Sequence, residues 1–148
     1  MSAPYHDLEN KVEAALKTYL IANVTPAQLN GATVQTATTE VDFGTGTYVI
    51  CTCKRAQGRK GLAGNALVTA SVIVRSMGNP VPSRILADHR ARAAYVRDAL
   101  LDDALINTLD SADSLTVQGI SDEWLFETRL DEDHWESELT LEMLCCPS

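Results

Sequence analysis

Hydrophobic positions along this chain follow two rhythms. Between Ser83 and Leu109, in a stretch free of glycine and proline, Leu86, His89, Ala93, Val96 and Leu100 step by three and four. That spacing puts them on one face of a helix. At Leu100-Leu101-Asp102-Asp103 the line shifts, and Leu101, Leu105 and Leu109 continue at steps of four. The pattern predicts a main helix from about Arg84 with Ser83 as N-cap. A break follows near Asp102 or Asp103, where either carboxylate suits a cap for a short second piece. A second helical stripe, Tyr5, Leu8, Val12, Ala15, Leu16, Tyr19 and Leu20, predicts an N-terminal helix from Tyr5 to Ala22. Pro4 suits its first turn, Asp7 and Glu9 complement its positive end, and Val24-Thr25-Pro26 closes it.

The other rhythm is alternation. After the turn signal Asn30-Gly31, the Thr-rich, β-branched run Ala32 to Phe43 favours a strand. Gly44-Thr45-Gly46 turns the chain into Thr47 to Arg55. There Val49, Cys51 and Cys53 share one face and Tyr48, Ile50 and Thr52 the other. With apolar groups on both faces, this reads as a central strand. A glycine-punctuated loop, Gln57 to Gly64, leads to a long strand over Asn65 to Ser76, which Gly78, Pro80 and Pro82 end. Beyond Asp110-Ser111-Ala112-Asp113 a short strand covers Ser114 to Gln118. Glu123–Leu130 and Trp135–Leu144 then form a hairpin turning at Asp131-Glu132-Asp133-His134. In it Trp124, Phe126, Thr128 and Leu130 on one arm, and Trp135, Leu139, Leu141 and Met143 on the other, mark a buried face. The expected fold class is α+β: a mostly antiparallel sheet with an N-terminal helix and a long central helix packed on one face, and a C-terminal β-hairpin. The 148 residues are expected to make a single domain, 1–148.

Composition narrows the function classes. Apolar residues at 45% and charged residues at 22% are globular values, and aromatics at 5% imply an aliphatic core. The net charge of −8 is divided unevenly. Residues 1–97 carry eleven Lys/Arg and six Asp/Glu, 11 − 6 = +5; residues 98–148 carry Arg129 against fourteen acids, 1 − 14 = −13. This is either a solvated acidic face or a molecule with one positive and one negative side, whose copies meet head to tail. The acidic half argues against a general nucleic-acid binder. No apolar run approaches the ~20 residues that span a bilayer. Met1 to Asp7 shows no signal peptide, so synthesis in a cytosol and no membrane partner are expected.

Candidate chemistry is sparse, and no catalytic, cofactor-binding or metal residues are assigned. Cys51 and Cys53 share a strand face, whereas adjacent Cys145 and Cys146 point apart, and neither spacing is that of a zinc site. Reduced thiols are expected. Asp131, Asp133 and His134 offer hard oxygens and an imidazole within one turn, but short polar side chains serve tight turns anyway. No nucleophile elbow or cysteine-protease motif is present. The loop Gly58-Arg59-Lys60-Gly61-Leu62-Ala63-Gly64 is rich in glycine and carries two cations. A phosphate cradle needs a strand-to-helix turn, and this loop joins two strands. The remaining expectation for Gln57, Gly58, Arg59, Lys60 and Gly61 is an interface or lumen loop.

The element order resembles that of the tail terminator and minor tail proteins of long-tailed bacteriophages and their prophage relatives. The resemblance rests on Leu67 to Val74 entering Asp88 to Ala94, on Leu100 to Leu109, and on Arg129 through Trp135 to Leu141. It covers most of the chain as a pattern of elements, not as a sharp motif. It implies a non-enzymatic virion protein of the tail or neck, made in the host cytoplasm. Such subunits form a homo-oligomeric ring, typically a hexamer, on the last ring of tail tube protein, stop tube growth and meet a head–tail connector protein. DNA passes through the lumen without specific binding, and no cofactor is implied. The alternatives are a head–tail connector or stopper, and an unrelated intracellular binding domain.

Overall fold

The computed structural model describes residues 8–36, 47–58, 66–77, 85–102, 104–105, 107, 115–122, 126–131 and 134–147. Its elements are α1 (Leu8–Asn23), α2 (Pro26–Leu29), β1 (Thr33–Thr36), β2 (Tyr48–Gly58), β3 (Ala66–Met77), α3 (Ile85–Leu100), β4 (Leu115–Asp122), β5 (Phe126–Asp131) and β6 (His134–Pro147). The strands form one six-stranded sheet in the order β1-β2-β3-β6-β4, with β5 also on β6. All pairs are antiparallel except β1 with β2, which is parallel. The α+β class, the mostly antiparallel sheet and the two longer helices on one face are as the pattern predicts.

β6 is the axis of the sheet. One of its edges pairs with β3 along the whole of that strand, from Met77↔His134 to Ala66↔Cys145. Its other edge is divided between β5, opposite residues 134–138, and β4, opposite residues 141–147. The expected hairpin arm Glu123–Leu130 is β5, and the expected short strand Ser114–Gln118 is β4, which runs on to Asp122 and shares the same edge of β6. The register pairs Phe126 with Glu138 and Arg129 with Trp135, so the apolar sets of the two arms are not partners. Trp124 lies outside the described residues.

The core forms where the helical stripes meet the sheet. Val12, Ala15, Leu16, Tyr19 and Leu20 of α1, with Ala93, Val96 and Leu100 of α3, join Val49, Cys51, Val68, Ala70, Val72, Val74, Leu139, Leu141 and Met143. Burying such aliphatic side chains is worth about 1.5–3 kcal/mol each against leaving them in water.

Three local details depart from the sequence reading. Thr25 does not merely end α1: it caps α2. Its Oγ1 accepts the Gln28 N–H, and the Gln28 side chain accepts the Thr25 N–H, a reciprocal capping box with Pro26 at the first turn. Asn30 and Gly31 then take φ of 48° and 87°, left-handed values that suit these two residue types. β2 also runs on through Gln57 and Gly58, past the expected end at Arg55. It absorbs a register shift between Cys53 and Arg55.

The third departure is at the end of α3. Asp102 is the cap of the next turn, its Oδ1 accepting the Ala104 N–H at 2.9 Å. The expected break is present, but the expected face is only partly so: Leu105 is buried and Leu101 is 48% exposed. Leu100 keeps the core side of α3, which turns Leu101 outward. The expected cap Ser83, and Asp103 and Leu109, lie outside the described residues.

Candidate functional site

Three polar constructions stand on this scaffold, and each is sealed or structural. The first ties α3 to the sheet. His89 is fully buried between two serines from adjacent strands: Nδ1 lies 2.7 Å from Ser76 Oγ of β3 and Nε2 lies 2.7 Å from Ser137 Oγ of β6. Arg92, one helical turn on, donates to Ser76 Oγ and to the carbonyls of Leu29 at 2.6 Å and Asn30 at 2.9 Å. With Arg92 donating to Ser76, assigning protons so that every group is satisfied makes the Ser76 hydroxyl the donor to Nδ1. The Nε2–H then donates to Ser137. Burial pulls the Arg92 pKa down, and Asp88, four residues earlier, pushes back toward the charged form.

A Ser–His–Ser chain suggests nucleophilic catalysis, which needs a hydroxyl reachable by substrate. Here Ser76 and Ser137 are 2% and 1% exposed. The arrangement fastens four elements: α3, β3, β6 and the end of α2.

The second construction plugs the sheet where β1 ends. Among the described residues, β1 pairs with β2 as far as Thr36↔Cys51. Two residues further along β2, the Cys53 N–H donates to Glu13 Oε2 of α1 at 2.9 Å. Glu13 is buried and its Oε1 accepts no hydrogen bond from the described residues. Burial pushes the Cys51 thiol up to about 12, helped by the Glu13 charge and opposed by Lys17. The third is the Tyr19 hydroxyl, which donates to the Ala99 carbonyl and so joins α1 to the end of α3. Burial, then Asp102, raises its pKa.

Of the residues singled out in the sequence, Gln57 and Gly58 close β2, while Arg59, Lys60 and Gly61 lie outside the described residues. Asp131 and His134 are register partners flanking the β5–β6 turn; Asp133 lies outside the described residues. Cys51 and Cys53 stand on β2, the first buried and the second half-buried. Cys145 pairs with Ala66, four register positions from the Ala70 that faces Cys53, and β3 stands between the two strands. That separation is about 13 Å along the strands alone, beyond the reach of one tetrahedral ion. Among the described residues no group of three His, Cys, Asp or Glu is placed to hold a metal ion.

Sequence reasoning missed Arg92 and Glu13, since buried charges break the apolar stripe instead of extending it. In the sequence His89 is one position of a helical face, and nothing local marks its serine partners, which lie 13 and 48 residues away.

The sequence matches no family model and no curated protein. The fold does have solved counterparts. It is shared with a chain of the virion of a native gene transfer agent particle, at a TM-score of 0.64 and 20% identity, over 90% of this chain and 93% of that one. The likeness thus spans nearly the whole of both chains and is one of fold.

Proposed function

We propose that this chain is a structural virion protein, not an enzyme. In this reading it forms a ring, typically hexameric, at the head-proximal end of a phage-type tail tube. It stops tube growth and joins the tail to the head–tail connector protein. The observation that carries the reading is the fold shared, nearly end to end, with a chain of a gene transfer agent virion. Its polar interior supports the reading, because the histidine, arginine and glutamate buried there hold elements together. The division of charge along the chain also supports it, since opposite signs on one subunit favour repeated head-to-tail contacts. An acidic lumen lets DNA slide without gripping phosphate. The segment Gln57 to Gly61 is then a loop toward the lumen or a partner.

Deleting the gene in a particle-producing host tests this, with electron microscopy of the lysate and mass spectrometry of purified particles. The expected result is tails of uncontrolled length that fail to join heads, and the protein present in wild-type particles. Tails of normal length beside filled, unjoined heads would assign the connector or stopper role instead. Absence of the protein from particles would overturn the reading.

A further inference from the structure

Of the six asparagines in the chain, Asn30 alone precedes a glycine. An Asn-Gly step carries its own chemistry, and asparagine is thermolabile for that reason. The Gly31 nitrogen attacks the carbonyl carbon of the Asn30 side chain, since glycine has no Cβ to crowd the approach. The Gly31 N–H gives up its proton, an N–Cγ bond forms, the Cγ–Nδ2 bond breaks, and ammonia leaves with that proton. The product is a five-membered cyclic imide. Water then opens it at either carbonyl, leaving aspartate or an isoaspartate whose main chain runs through Cβ.

In the fold this step is the centre of an exposed turn. Leu29 to Ala32 is closed by the Ala32 N–H on the Leu29 carbonyl at 3.1 Å. Both central residues have positive φ, 48° at Asn30 and 87° at Gly31, the primed turn type that favours Asn-Gly. Asn30 and Gly31 are exposed, and open space surrounds the place where a Gly31 Cβ would stand. Water has access, and nothing crowds the attack. Alignment is what the turn withholds. Ring closure requires the Gly31 nitrogen to eclipse the Asn30 Cβ across the Cα–C bond. At the Asn30 ψ of 56° it stands anti to that carbon, on the far side of the bond. Reaction therefore needs roughly half a turn of ψ, one of the two soft torsions of the residue.

Arg92 opposes that rotation. Its Nη2 holds the Asn30 carbonyl at 2.9 Å, and its Nε holds the Leu29 carbonyl at 2.6 Å. Turning ψ of Asn30 swings its carbonyl off the guanidinium and opens the bond between Leu29 and Ala32. We propose that Asn30-Gly31 is a deamidation site that the Arg92 clasp keeps closed, so that Asn30 is converted when α2 loosens from α3. The change runs one way. Isoaspartate adds a main-chain methylene, and the turn then no longer presents both carbonyls to Arg92.

Incubation of the full chain at mildly alkaline pH tests it, with peptide mass spectrometry that separates asparagine, aspartate and isoaspartate at position 30. Folded wild type should convert at least tenfold more slowly than the same chain unfolded in urea. Thr25→Ala removes the capping box of α2 and touches no buried group, and Arg92→Met removes the clasp. Each should speed conversion severalfold. Val72→Ala, which weakens the core and leaves the turn alone, should not. Asn23, before the β-branched Val24, is the internal reference. Circular dichroism checks that each variant is folded, and if Arg92→Met is not, Thr25→Ala carries the test. Wild type converting as fast as the unfolded chain overturns the proposal. So do folded variants of the clasp that convert no faster than wild type, or a Val72→Ala rise equal to theirs.

Discussion

Cys51 is a thiol that the fold keeps neutral. Its pKa rises to about 12 from an ordinary 9.0, first through burial and then through Glu13. A raised pKa means that the folded state holds the proton more tightly than the unfolded one. The corresponding stability is complete below pH 9 and is lost as pH climbs toward 12. Three units correspond to a loss on the order of 4 kcal/mol across that window. The raised pKa of Tyr19 acts in the same direction. Urea denaturation at pH 8 and pH 11 should therefore show a clear fall in midpoint, and Cys51→Ala should flatten it. At pH 8 iodoacetamide should modify half-buried Cys53 well before Cys51. Equal rates at the two positions would mean that Cys51 is not sealed. Cys51 and Cys53 read alike in the sequence, as neighbours on one strand face. Packing against α1 separates them, because Cys51 is buried in the core beneath the helix while Cys53 is half-buried and gives its N–H to the Glu13 side chain.

Among the elements, α3 shows how far periodicity reaches. Its core face was legible: of Leu86, His89, Ala93, Val96 and Leu100, the last four are buried as their spacing requires and Leu86, at the helix start, is half-buried. Arg92 was not, because a guanidinium at a flanking position normally reaches water. Here the end of α2 lies against it and presents two carbonyls: Leu29, which also accepts the Ala32 N–H, and Asn30. Arg92→Met removes donors from both carbonyls and from Ser76. It should cost about 1.5–3 kcal/mol in chemical denaturation, the range for losing hydrogen bonds from a charged donor. Arg92→Lys keeps the charge but not the planar fork, and should recover only part of that loss. A loss below about 0.5 kcal/mol for Arg92→Met would mean that the clasp contributes little. The capping box at Thr25 was open to sequence reading in principle, since Thr-Pro-x-Gln is its pattern. A four-residue helix carries too little periodicity to point there.

For the molecule as a whole, β6 is the element on which the others depend. It is paired to β3 along one edge and to β4 and β5 along the other. A chain cut after Glu138 keeps every helix but loses the partner of β4 and the core residues Leu139, Leu141 and Met143. It should show no cooperative thermal transition, as followed by circular dichroism. A cooperative melt near that of the intact chain would refute the central role of β6.

The sequence by itself determined the class of fold, which residues of each long element face inward, and the lopsided charge. These follow from local periodicity and from counting, which need no knowledge of partners. Tertiary structure alone decided which strand pairs with which. It also brought Ser76 and Ser137 to either side of His89, and placed Glu13 at the end of β1. Those outcomes join residues 13 to 48 positions apart, and a buried polar group has no pattern of its own. Its place is set by the one unpaired donor or acceptor it must meet.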